Sequence, residues 1–191
     1  MPSFIGDVRH IFKKRKTVFN GTVLPPEHMR LCGDDFKNDQ YYLNSAIGEA
    51  ERLQKNFKLN QQSRVLDIGC GPGRLAIGII RLLGEISYYQ GVDVDKKSIQ
   101  WCHRFINPDH PNFKFLNIDV QNERYNPKGE QISSEFKLPF SDKSFDIIYL
   151  YSVFSHLKVN DILTYLKEFN RLLDTEGKIF FTAFLEDDVP E

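Results

Sequence analysis

The sequence predicts a doubly wound α/β fold built on a mostly parallel sheet, and three observations predict it. From Ser63 onward, short runs rich in Ile, Val, Phe and Tyr alternate with segments of helical periodicity. Such alternation implies parallel β-α-β units with right-handed crossovers. The first apolar run leads into "DIGCGPG", which strips the turn before the next helix of side chains at Gly69, Gly71 and Gly73. Three strands, finally, carry an aspartate at or beside their carboxyl ends: Asp67, Asp93 and Asp119. That rim is where open α/β sheets bind ligands.

The elements follow in order. "RVLDIG" is a short apolar strand, and "RLAIGIIRLLG" is a helix closed by Gly84. "ISYYQGVDVD" is a second strand ending at Asp93, with Asp95 suited to cap the helix "KKSIQWCHRFI", which stops before Asn107-Pro108. "NFKFLNID" is the third strand and "SFDIIYLYSV" the fourth. The segment 160–177 reads as a helix with Asn160 as N-cap and Gly177 as C-cap, leading to a fifth strand, "KIFFTAFL". Upstream, residues 44–57 put Ala46, Ile47, Ala50, Leu53 and Phe57 on one helical face. Residues 3–16 carry Phe4, Ile5, Val8, Ile11 and Phe12 on one side and basic residues on the other. A membrane-surface helix is one use of that pattern; a cap helix packed on its own domain, with a solvated basic end, is the reading adopted. Residues 1–62 are therefore expected to form a helical cap, with 22–42 folding over the site as a lid, and 63–191 the α/β domain.

Composition excludes several classes. The chain has 191 residues, 41% hydrophobic and 27% charged, which suits one sizeable core. A net charge of −1 gives no pull toward nucleic acid or an anionic membrane, so neither is expected as a partner. Cys32, Cys70 and Cys102 are odd in number and widely spaced, which fits a reducing cytoplasm and no metal site. No apolar run reaches membrane-spanning length, and the charged N-terminus is not a signal peptide. The sequon Asn20-Gly21-Thr22 is without meaning in that setting.

A glycine-rich turn after a strand lets a ligand approach the backbone and a helix N-terminus. No Gly-x4-Gly-Lys-[Ser/Thr] run exists. A Gly-x-Gly-x-x-Gly fingerprint would need glycine where Arg74 stands, which disfavours a nicotinamide-dependent oxidoreductase. What stands here is Asp67-x-Gly69-x-Gly71-x-Gly73.

That pattern resembles the first motif of the class I S-adenosylmethionine-dependent methyltransferases. "GVDVD", "NIDV", "LPFSDKSFDIIYL" and "LLDTEGKIFF" resemble later motifs of the family, in its order, over roughly residues 63–185. The resemblance implies a Rossmann-like methyltransferase fold and S-adenosyl-L-methionine as cofactor. It places Asp93 on the ribose hydroxyls and Asp119 on the adenine amino group. Both assignments suit the chemistry, since a carboxylate accepts from a vicinal diol or an exocyclic amine. For Asp119 a turn role is an equal alternative. The turn N–H groups from Gly69 to Gly73 are expected to meet the methionine carboxylate or adjacent backbone. Asp67, Cys70, Val94, Val120 and Ser152 complete the expected cofactor contacts.

The link "VQNERYNPKGEQISSEFK" is longer than usual and is expected to cover the adenine side. "NERYNPKG", "SVFSHL" and "LPPEHMR" resemble one bacterial subfamily expected to act on small molecules. Arg30, Tyr41 and Ser155 are candidate acceptor contacts, with Phe36 beside them on the lid. His156 is the candidate catalytic residue, as a general base or as a group that shapes the pocket. A non-catalytic S-adenosylmethionine-binding partner subunit is the alternative function. The family's sheet continues past strand five, so strands six and seven are expected to be missing. A bare fifth-strand edge implies a fragment of a longer protein, or another chain covering it, as in a homodimer.

Overall fold

A computed structural model describes residues 16–183. The basic-amphipathic reading of residues 3–15 and the end of "KIFFTAFL" lie outside them. A parallel sheet of five strands forms the centre, in the order β5-β4-β3-β6-β7. These are β3 (Arg64–Ile68), β4 (Tyr88–Asp93), β5 (Phe113–Asn117), β6 (Phe145–Leu150) and β7 (Leu173–Phe181). β3 pairs with β4 on one side and with β6 on the other, Val65 lying opposite both Tyr89 and Ile147. The chain winds outward from β3 through β5, then returns to start again at β6. The carboxyl ends of β3 and β6 thus flank the switch point.

Side chains alternate across the sheet and fill two cores. Val65, Tyr89, Phe113, Ile147 and Tyr149 face α1 (Asp39–Phe57), α2 (Arg74–Leu83) and α3 (Lys96–Phe105). Leu66, Ile68, Val92, Phe145 and Ile148 face α4 (Val159–Leu172), through Tyr165, Phe169 and Leu172. The long link between β5 and β6 lies over this second face, burying Leu138. Its end is fastened to α4: Leu138 N–H donates to Glu168 at 2.8 Å, and Arg171 donates to the carbonyls of Leu138 and Phe140.

Gly84 and Asp95 close and open their helices as expected; the Asp95 carboxylate accepts from the N–H groups of Lys97 and Ser98. Three expectations need correction. The helix expected over 160–177 stops at Leu172, and its N-cap is Lys158, without a side-chain cap bond, rather than Asn160. Gly177 lies inside β7 instead of capping a helix. Leu173 already pairs with Phe145, and Asp174 pairs with Arg64 at 2.6 Å, so the sheet captures the chain before another helical turn forms. Three extra residues then bulge before Lys178 pairs with Ile147. Third, the cap expected over residues 1–62 is not purely helical among its described residues. It begins with a hairpin, β1 (Thr17–Phe19) and β2 (Thr22–Leu24), turning on Asn20 and Gly21 at φ 47° and 72°. The described residues therefore hold seven strands, two of them outside the sheet. Two central residues with positive φ suit the two-residue hairpin, and Asn-Gly between alternating apolar residues signals it. After it come two short 3₁₀ turns, Glu27–Met29 and Asp34–Lys37, before α1.

Candidate active site

The carboxyl ends of β3, β4 and β6, the lid and the long link enclose a cleft of about 450 Å3. Its floor is the glycine turn. Gly69, Gly71 and Gly73 hold φ of 73°, 51° and 79°, the left-handed region in which L side chains are strained. Their surroundings differ. A Cβ on Gly69 would lie 2.6 Å from the Val153 side chain, and one on Gly73 2.7 Å from that of Ile106. A Cβ on Gly71 would meet nothing within 4 Å and would project into open space at the cleft. Gly71 thus leaves room for a ligand, whereas Gly73 lets α2 approach α3.

The turn donates inward. The N–H groups of Gly69 and Cys70 donate to the Val92 carbonyl at 2.8 and 3.1 Å, and that of Gly73 to the Cys70 carbonyl at 3.0 Å. Gly71 N–H donates to Asp93 Oδ2 at 2.6 Å. Of the two expected partners for these amides, a ligand carboxylate or adjacent backbone, three amides meet backbone carbonyls and that of Gly71 meets the Asp93 side chain, which ties the strained turn to β4. Asp93 Oδ1 also accepts from Asp95 N–H at 2.7 Å. Burial raises the Asp93 carboxyl above its usual range, and these backbone donors oppose the shift. The second lone pairs of both oxygens remain available on the cleft wall.

Asp67 lies beneath, buried, and accepts from the Tyr89 hydroxyl at 2.5 Å. Burial pushes its carboxyl from 3.8 up to about 7, against the opposing Tyr89 hydrogen bond and the Arg74 charge. The sign of its contribution follows. Between about pH 4 and 7 the folded protein retains a proton that the unfolded chain has lost, so this term makes stability fall as pH rises through that window, then level off. Urea unfolding across pH 4–8 should show this slope in the wild type and a flatter profile in Asp67→Asn, whose amide can still accept from Tyr89. Identical profiles would remove Asp67 as their source.

The remaining expected residues separate. Val94, Val120 and Ser152 line the cleft with Cys70. Ser152 adopts φ 57°, and its N–H donates to Thr182 Oγ1 at 2.8 Å. Asp119 is exposed and outside the lining; its Oδ1 accepts from Asn126 Nδ2 at 2.9 Å, bracing the link. The link itself brings Asn122, Arg124 and Tyr125 to the cleft. His156 lines the rim from the 3₁₀ turn Phe154–His156, while Ser155 faces solvent.

On the lid, Arg30 reaches the lining but its guanidinium is occupied. It donates to the carbonyls of Pro25, Phe36 and Lys37 and pairs with Asp39 at 2.6 Å. Arg30 therefore fixes the lid's shape. Tyr41 is 46% exposed and absent from the lining, where its buried neighbour Tyr42 stands. One residue is about 100° on a helix, and α1 begins early enough, at Asp39, to turn Tyr41 outward. Arg74 and Tyr151, neither among the expected site residues, also line the cleft. A cation in the first turn of a helix that is apolar from Leu75 to Ile80 is the available signal for Arg74.

A glycine turn on a switch-point strand, followed one strand over by a carboxylate braced at the cleft wall, is the arrangement by which doubly wound α/β proteins bind ligands. The methyltransferase-domain family model matches residues 66–179, and the chain belongs to that family. An uncharacterised methyltransferase of Schizosaccharomyces pombe is 26% identical over 121 residues, 63% of this chain and 40% of that one. Demethylmenaquinone methyltransferase of Lactobacillus johnsonii is 27% identical over 145 residues, 76% of this chain and 53% of its own. The chain thus spans about half the length of these relatives or less. A solved protein of Methanococcus maripaludis, described as dependent on S-adenosyl-L-methionine, shares the fold with a TM-score of 0.55. It is 18% identical, over 74% of this chain and 57% of its own. The cofactor is S-adenosyl-L-methionine, and the residues present fit it. Asp93 offers acceptors for a ribose diol, Gly71 offers space, and Val94, Ile118 and Val120 offer apolar surface for a base. No helix among the described residues is long and apolar enough to cross a membrane.

Proposed function

We propose that the chain transfers the sulfonium methyl of S-adenosyl-L-methionine to a small-molecule acceptor in the cytoplasm, with Asp93 holding the ribose and His156 serving the acceptor. The observation that carries this reading is one continuous cleft, reaching from Asp93 at the end of β4 to His156 beyond β6. Its volume of about 450 Å3 and its walls, which include Met29, Phe36, Tyr151 and Leu157, suit an apolar acceptor under the lid. Held by Asp93 and the glycine turn, the cofactor would supply an electrophilic methyl that an acceptor lone pair displaces, the C–S electrons leaving with sulfur as S-adenosylhomocysteine. Where the acceptor atom carries a proton, the imidazole of His156 would take it. Alignment supplies much of the rate, and the base adds to it.

His156→Asn keeps size and a hydrogen-bonding edge but has no basic ring nitrogen to take a proton. If His156 is the base, turnover of an acceptor found in a metabolite panel should fall at least about a hundredfold. S-adenosylhomocysteine affinity should hold. Retained turnover would make His156 a wall of the pocket.

The alternative is a non-catalytic S-adenosylmethionine-binding subunit of a larger assembly. It is supported by Val159, Leu163 and Leu166, exposed on one face of α4, and by exposed Phe181 on β7, the edge strand of the described sheet. A second copy of this chain covering that edge is part of this proposal. Cofactor binding without methyl release on any panel member would favour it.

A further inference from the structure

S-adenosyl-L-methionine ends in an amino acid whose carboxylate is its only anion. The glycine turn has little left for it, since the N–H groups of Gly69, Cys70, Gly71 and Gly73 are all taken within the protein. The next residue is Arg74, the first of α2, only 8% exposed and part of the cleft lining. Its guanidinium makes one hydrogen bond, from Nη1 to Ser45 Oγ at 2.9 Å. It lies over the rings of Tyr151 and Phe36, 4.4 and 5.4 Å from their centroids. Among the described residues, no ion pair within 4.0 Å involves Arg74. The carboxylates of Glu49 and Asp67 act on it only through their field, without contact, and most of its five donors are unused, which is costly for a buried guanidinium. In the same lining, the Tyr42 hydroxyl is buried without any hydrogen-bond partner.

We propose that Arg74, assisted by the Tyr42 hydroxyl, receives the amino-acid carboxylate of the cofactor, so that this buried cation gains a carboxylate in direct contact only on binding. The inference rests on the cofactor assignment and adds a specificity to it. Asp93, past the turn on β4, takes the ribose. Arg74 stands on the other side of the turn, beside Tyr151 after β6, where the tail of a cofactor laid across Gly71 arrives. Phe36 stacks on the same guanidinium, so the anion also engages the lid. The site therefore selects S-adenosyl-L-methionine against analogues that lack the carboxylate.

Calorimetry with S-adenosylhomocysteine and with 5′-methylthioadenosine, which keeps the nucleoside and sulfur but has no amino acid, tests this. Arg74→Met should weaken S-adenosylhomocysteine by roughly tenfold to a hundredfold, the range of charge-assisted hydrogen bonds, and leave 5′-methylthioadenosine unchanged. Arg74→Lys should fall between. Tyr42→Phe, which removes only the hydroxyl, gives the same ligand-selective comparison if Arg74→Met does not fold. Equal weakening of both ligands would assign Arg74 to packing, and unchanged S-adenosylhomocysteine affinity would assign the cation to an acidic acceptor; either overturns the proposal. A wild type that binds neither ligand would overturn the cofactor assignment itself, a result distinct from both.

Discussion

Asp93→Ala should weaken S-adenosylhomocysteine by about 2 kcal/mol or more, because charge-assisted hydrogen bonds to a diol are lost together with the acceptor that holds the turn. The Asp93 carboxylate bridges the N–H groups of Gly71 and Asp95, at 2.6 and 2.7 Å. Removing it leaves both donors unpaired and frees a turn whose φ values are strained. Asp93→Asn separates the two contributions. Its single carbonyl oxygen can keep one backbone donor but cannot accept from both backbone and both ribose hydroxyls, so an intermediate loss is expected. Calorimetry reads the affinities, with far-UV circular dichroism as the check on folding. Wild-type affinity in Asp93→Ala would remove Asp93 from the cofactor's contacts and leave it a turn residue.

The largest effect on stability is expected at Gly78, far from the chemistry. Gly78 lies mid-α2 where α1 crosses it, and a Cβ there would sit 1.9 Å from the Ala46 carbonyl oxygen and 2.5 Å from its carbon. Those are backbone atoms of a helix, so no rotamer change relieves the clash; the helices must separate. Gly78→Ala should therefore cost about 3 kcal/mol, despite a helix-propensity gain of about 1 kcal/mol. Gly48→Ala is the matched control. It also lies within a helix, α1, but its Cβ would meet nothing within 4 Å, so the propensity gain should appear as a stabilisation of roughly 0.5–1 kcal/mol. Urea midpoints measure both. A Gly78→Ala protein as stable as wild type would mean that α1 is not seated on α2 as described.

Local rules made much of this architecture legible. Apolar runs of strand length, helical periodicity between them and a side-chain-free turn depend only on neighbouring residues, and α2, α3 and their caps at Gly84 and Asp95 follow from them. The hairpin at Asn20-Gly21 was equally local; its signal was present and was passed over.

The sequence by itself determined the α/β alternation, the glycine turn and the acid at the end of β4, since each is a property of a few adjacent residues. Tertiary structure alone decided the end of α4, where pairing of Leu173 with Phe145 outcompeted further helix. It also decided that Tyr42 rather than Tyr41 enters the cleft, and that Arg30 is spent on the lid while Arg74 keeps free donors. These outcomes depend on which distant groups satisfy a carbonyl, a guanidinium or an amide. Such partners lie tens of residues away along the chain, and only packing brings them within hydrogen-bonding distance.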